Sequence, residues 1–154
     1  MHFEIFSPAF SPGAMIPVRH TCNGKDVSPP LAWSNVPAPA KSLALVCEDP
    51  DAPGGTFYHW GIHDLPTTVT SLAEGVNTKS IPEGVRVVRN SFGSADYRGP
   101  CPPTGHGIHH YHFRLFALSM PNLTIGKGAD CQGLLASLRP HVVAIAEVVG
   151  TFAR

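Results

Sequence analysis

"YRGPCPPTGHGIHHYHFRLFAL", residues 97–118, places four of the chain's nine histidines, His106, His109, His110 and His112, within seven positions. From Ile108 to Leu118 the stretch holds neither proline nor glycine and alternates for most of its length. Ile108, His110, His112 and Arg114 fall on one side, and His109, Tyr111, Phe113 and Leu115 on the other. A period of two is that of a strand with one buried face, so the segment predicts a β-strand. The alternation also divides the histidines, because His109 and His110 must point to opposite faces. His110 and His112 share a face, but two ligands do not complete a zinc site. They are expected on a solvent-facing side, with no metal. His109 and Tyr111 run in step with Phe113 and Leu115 and are expected at the mouth of the core. The preceding "GPCPPTGHG", residues 99–107, supplies a wall: Pro102 and Pro103 stiffen the chain, while Gly99, Gly105 and Gly107 permit close approach.

Working outward, "SLALVCEDP" (42–50) and "TFYHWGIHDLP" (56–66) are apolar or aromatic runs bounded by turn residues and read as strands. Residues 66–107 read as loop with short strands, notably "GVRVVRNSF". "DCQGLLASLR" (130–139) predicts a helix capped by Asp130 and stopped by Pro140. The tail "HVVAIAEVVGTF", rich in β-branched residues, predicts a strand. Sixteen prolines and fifteen glycines leave few windows for long helices. The expectation is one mostly-β domain covering residues 1–154.

Lysine plus arginine and aspartate plus glutamate each number 11, so no positive excess exists to neutralise a run of phosphates, and nucleic acid is not an expected partner. No eighteen apolar residues run together and "MHFEIFSPAF" has no signal-peptide pattern, so a cytoplasmic protein without stable membrane insertion is expected. The four cysteines, Cys22, Cys47, Cys101 and Cys131, lack CxxC spacing and are expected as reduced thiols.

"EDPDAPGG", residues 48–55, is the second candidate for chemistry. Pro50 and Pro53 hold the preceding residues extended, fixing Asp49 and Asp51 in a stiff turn. His59 follows among Phe57, Tyr58 and Trp60, where a charge needs a partner, and Asp49 is the expected one. Histidine beside aspartate is also acid–base apparatus. The chain has no GxSxG, HExxH or GxxxxGK[ST] motif, and Cys101 near His109 is the one candidate nucleophile. No catalytic residue and no cofactor are assigned.

Together "SPPLAWSNVP", "SLALVCEDPDAP", "YHWGIHDLP", "GPCPPTGHGIHHYHF" and "EVVGTFAR" resemble the phosphatidylethanolamine-binding protein family, in its bacterial and archaeal Raf-kinase-inhibitor-like subgroup. "DPDAP" and "GPCPP" followed by histidine and tyrosine match the family's two signature blocks. The resemblance implies a large central β-sheet packed on a smaller one, Greek-key connections and a few peripheral helices. It also implies a rigid pocket for phosphate, phosphoethanolamine or carboxylate-like groups at Asp49, Asp51, His59, Pro102, His109 and Tyr111. A homodimer, and regulation of a kinase or protease, follow as further expectations. The alternative is an enzyme using the same pocket for acid–base chemistry on a small phosphorylated or carboxylated metabolite. The chain departs from the family where His110 stands in place of a common arginine and Ser91 in place of an aspartate. It also ends at "TFAR" without a long C-terminal extension, so an open pocket is expected.

Overall fold

The computed structural model describes residues 2–154. Eight strands form in chain order: β1 (Glu4–Phe6), β2 (Leu31–Ser34), β3 (Ser42–Asp49), β4 (Phe57–Leu65), β5 (Ser71–Leu72), β6 (Arg86–Val87), β7 (His109–Leu118) and β8 (Val142–Phe152). One helix, α1 (Cys131–Leu138), and two short 3-10 turns at Val18–His20 and Arg139–His141 complete the elements. The smaller sheet has the order β1-β2-β5 and the larger β6-β4-β3-β7-β8, with every pairing antiparallel. β7 returns beside β3 on the side away from β4, so the long connection over residues 66–108 is of the Greek-key kind.

β3 lies at the centre of the large sheet, and both of its faces are buried. Leu43, Leu45 and Cys47 enter the core shared with Ile5, Leu31, Trp33 and Leu72 of the small sheet. Ala44 and Val46 pack on the other side with Phe116, Leu118 and the helix residues Cys131, Leu134 and Leu138. A strand covered twice has no reason to alternate, which accounts for the continuous apolar run. β7 buries His109, Tyr111, Phe113 and Leu115 and exposes His110, as its period requires. At α1 the Asp130 carboxylate accepts a hydrogen bond from Gly133 N (2.9 Å), an N-cap as the sequence predicts. Gly61 allows the helix to approach β4, because a Cβ there would stand 2.7 Å from Val88 and 2.8 Å from the Cys131 sulfur.

The reduced-thiol expectation fails for two of the four cysteines. Cys22 and Cys101 form a disulfide, with Cα atoms 5.4 Å apart across a separation of 79 residues. Cys22 N also donates to Pro100 O (3.1 Å), so the loop after the first 3-10 turn lies along the 99–103 wall. Proximity made by folding leaves no trace in cysteine spacing. The reduced-thiol expectation holds for Cys47 and Cys131, both buried. Burial pushes the Cys131 thiol up to about 12, helped by the charges of Asp130 and Glu48, and holds Cys47 well above its ordinary range.

Candidate functional site

The end of β3 fixes the first site residue. Asp49, 3% exposed, is followed by Pro50, and its carboxylate is fully engaged: Oδ1 accepts from Asp51 N (2.8 Å) and Oδ2 from His109 Nδ1 (2.6 Å). An aspartate bonding the amide two residues on makes a local turn of the chain. That turn carries Asp51 outward. Its Oδ2 accepts from both the backbone N and the Nδ1 of His110, each at 2.8 Å, and these hydrogen bonds hold its carboxyl below the usual range. Asp51 is therefore not in the cavity with Asp49, contrary to the sequence expectation; it ties the 49–55 turn to the start of β7. His110 is paired rather than idle on its exposed face.

His59 departs from expectation in its partner. Between Cys47↔Trp60 and Glu48↔Tyr58 the register gains one residue on β4, a bulge that leaves His59 as the extra residue. The bulge lets His59 and Trp60, neighbours in sequence, both be buried. His59 Nδ1 donates to the Arg98 carbonyl oxygen (2.7 Å), not to Asp49. Burial lowers its pKa below the ordinary value, with the Arg98 hydrogen bond and the Asp49 charge opposing the shift in part. The ring is thus neutral near pH 7, with Nε2 as the unprotonated nitrogen.

His109, 1% exposed, opens β7 and is held at both ring nitrogens, by Asp49 and by His106 Nδ1, which lies 2.6 Å from His109 Nε2. The chain Asp49–His109–His106 leads from the interior to the surface. Tyr111 is fully buried, and its hydroxyl has no hydrogen-bond partner among the described residues. Burial, then the charges of Asp49, Cys47 and Asp51, push that hydroxyl far above its ordinary pKa, so it remains a donor.

These groups meet in a cavity of about 220 Å³ lined by Asp49, His59, His109 and Tyr111, with Phe57, Phe92, Cys101, Pro102 and Pro103 among its apolar walls. Phe57 and Phe92 meet edge-on at 4.8 Å, and both lie against His59, at 5.0 and 5.7 Å. The proline wall is braced from several sides. The disulfide holds Cys101, Arg154 Nε donates to Pro102 O (2.8 Å), and Gly105 N donates to Arg154 O (2.9 Å). Gly99 N donates to Asp26 Oδ1 (2.8 Å), and a Cβ at Gly99 would collide with the His20 carbonyl oxygen, so the wall can seat only glycine there. Asn90 Oδ1 accepts from Phe92 N (3.0 Å) and Ser94 N (3.2 Å), which shapes the turn that presents Phe92. Ser91, the departure from the family pattern, accepts from Tyr58 N (2.8 Å).

Of the six residues expected at the pocket, five line this cavity and Asp51 does not. His106, Phe57, Phe92 and the Arg98 carbonyl are participants that sequence reasoning missed. His106 had a local signal, an imidazole three residues before His109 within a Gly-X-Gly turn, whereas Arg98 acts through its backbone and leaves none. On the opposite face of β7, His112 and Arg114 share Glu147 (3.2 and 3.4 Å) and Arg114 also pairs with Glu48 (3.1 Å). Among the described residues no three histidine, cysteine or acidic side chains converge as a metal would need.

The family model for phosphatidylethanolamine-binding protein matches residues 6–153. The chain belongs to the phosphatidylethanolamine-binding protein family. The UPF0098 protein of Aquifex aeolicus is 41% identical over 98% of this chain and 88% of its own length. The Mycobacterium tuberculosis protein named "Putative lipoprotein LppC" is 43% identical over 96% of this chain and 71% of its own length. In three dimensions the chain is similar to the crystal structure of Escherichia coli YbcL, described as a new member of the mammalian family, with TM-score 0.95 and 31% identity over 100% of this chain and 99% of that one.

Proposed function

We propose that the protein binds small phosphate monoesters of the phosphoethanolamine type in the cavity at Asp49, His59, His109 and Tyr111. The observation that carries this reading is the Tyr111 hydroxyl, a buried donor kept protonated and without a protein acceptor, on a residue that lines the cavity. A buried polar group left unpaired costs about 1–3 kcal/mol, which an accepting oxygen of a ligand would recover. His59 fits the same ligand in a proton-dependent way. Its neutral Nε2 accepts a hydrogen bond from a phosphate O–H, or takes up a proton and donates to a phosphate oxygen, so binding weakens as pH rises. Asp49 does not touch the anion in this account; it orients His109. The walls of Phe57, Phe92, Pro102 and Pro103 favour an organic phosphate over the bare ion.

Binding without chemistry is supported by Cys101. The one candidate nucleophile near His109 is tied up in a disulfide and is not available as a thiolate. Titration calorimetry with phosphoethanolamine near pH 6.5 tests the reading: saturable binding that Tyr111→Phe weakens several-fold supports it, and absence of binding at about 10 mM ligand overturns it.

The cytoplasmic expectation rested on the missing apolar span and signal-peptide pattern, and reduced thiols were expected alongside it. The Cys22–Cys101 pair instead favours an oxidising compartment, in which such bonds persist. The lipoprotein name of the mycobacterial relative points the same way. Differential alkylation and mass spectrometry on protein taken from its own cells decides between the two: a protected pair supports the oxidising compartment, and free thiols at both positions restore the cytoplasm.

A further inference from the structure

On the helix side of the large sheet, a second and larger cavity of about 770 Å³ is lined by His63, Arg86, Arg89 and Lys127. His63 and Arg86 are direct cross-strand partners of β4 and β6, so their side chains share a face. Arg89 is fixed by its backbone, with N donating to Ala129 O (3.0 Å) and O accepting from Cys131 N (3.0 Å). Its guanidinium lies over Gly128, where a Cβ would come within 3.0 Å of Nη2, and Gly128 has φ +76°. The 123–129 loop and the β6 edge therefore form one concave wall. Among the described residues Arg86, Arg89 and Lys127 make no ion pair. No carboxylate lines the cavity.

The acid paired with His63 is Asp64, and its carboxylate is fully committed. Asp64 has φ 61° at a second register shift of β4, between Ile62 and Leu65. Its carboxylate accepts from His63 Nδ1 (2.8 Å), Leu123 N (3.1 Å) and Asn122 Nδ2 (3.2 Å). Burial pushes the Asp64 carboxyl up, but these three hydrogen bonds outweigh burial and keep it below the usual range. His63, 4% exposed, is thereby locked with Nδ1 toward the carboxylate, which leaves Nε2 as the ring atom open to the cavity it lines. A left-handed aspartate, a buried oriented imidazole and three unpaired cations around one hollow are more than a solvated basic face needs. The remaining walls include Val87, Val88, Leu123 and Ile125, so the hollow is cationic at some points and apolar at others.

We propose that this cavity is a second ligand site, for a phosphate monoester carrying an apolar or aromatic body, with Arg86, Arg89, Lys127 and His63 Nε2 on the phosphate and the aliphatic walls on the body. Its size suits a small organic molecule, being within the roughly 300–1,000 Å³ usual for such sites. It shares no lining residue with the cavity at Asp49, so the two sites are separable by mutation.

The test is an amide NMR titration with phenyl phosphate and, in parallel, inorganic phosphate. Phenyl phosphate is expected to shift the amides of Leu123, Lys127 and Gly128 saturably and to bind about tenfold more tightly there than inorganic phosphate. The exposed Arg86→Gln and Arg89→Gln changes are each expected to weaken that response about fivefold to tenfold. Tyr111→Phe, which acts in the other cavity, leaves it unchanged. Shifts confined to residues around Asp49, no shift of Leu123, Lys127 and Gly128 at about 10 mM ligand, or an unaltered affinity in the Arg86→Gln/Arg89→Gln double variant would each overturn the proposal. Failure at this cavity with retained phosphoethanolamine binding at Tyr111 would leave the first site standing.

Discussion

Tyr111 and His59 set opposite signs on stability and binding. Tyr111→Phe removes a buried hydroxyl that has no protein partner and keeps the ring, so the unliganded protein should be as stable as the parent or more stable, by up to about 1 kcal/mol in chemical denaturation. Its affinity for phosphoethanolamine should nevertheless fall about fivefold to tenfold, because the ligand loses a donor. A merely structural tyrosine would show loss in both measurements. His59 gives the pH dependence. Its folded pKa lies below the unfolded value of about 6.5, so the unfolded chain binds the proton first as pH falls. The neutral ring's contribution to stability is therefore complete above about pH 6.5 and is lost progressively below it, as far as the folded pKa. Asp51 and Asp64, both lowered, act in the same direction at more acidic pH, their contributions being present above their unfolded pKa and lost as pH falls through the folded ones. Urea unfolding between pH 4 and 8 should show stability declining toward acid, and His59→Gln should reduce the slope just below about pH 6.5.

At the level of elements, β7 shows what sequence can and cannot announce. Its face assignment follows from period alone: His109 and Tyr111 are inside, His110 is outside, and α1 and β8 stand where cap and β-branched content place them. β4 breaks the same rule twice. The extra residue at His59 turns two neighbours inward, and no alternation count foretells a bulge whose cause is pairing with a strand elsewhere in the chain. The supposed Asp49–His59 pair failed for this reason, since His59 was delivered to the Arg98 carbonyl while Asp49 was taken by His109. Asp51 was placed in the pocket by its motif, whereas the turn begun by Asp49 swings it to His110. Asp51→Asn should accordingly cost less than about 1 kcal/mol, as exposed pairs do, and leave phosphoethanolamine affinity within about threefold. His112→Ala, on the far face of the strand, should change affinity no more than that in the same titration. A tenfold loss in either variant would show that the two faces of β7 are not independent.

Over the whole molecule, the binding cavity depends on contacts made far apart in the chain. Cys22, Asp26 and Arg154 all reach the wall between Gly99 and Pro103, so the site exists only once the ends and the middle have assembled. Closing a loop of 79 residues by a disulfide restricts the unfolded chain strongly, and replacing both Cys22 and Cys101 by serine should destabilise the protein by about 2–4 kcal/mol. A thermal melt with and without reductant should reproduce that loss in the parent and show no effect of reductant in the double variant. The most direct measurement of the central claim is titration calorimetry of phosphoethanolamine into the parent, Tyr111→Phe and His112→Ala proteins at about pH 6.5 and pH 8.5. The account predicts saturable binding by the parent that weakens at the higher pH, a fivefold to tenfold loss in Tyr111→Phe and a change within about threefold in His112→Ala. Binding that is absent, indifferent to Tyr111→Phe, or tighter at the higher pH would contradict it.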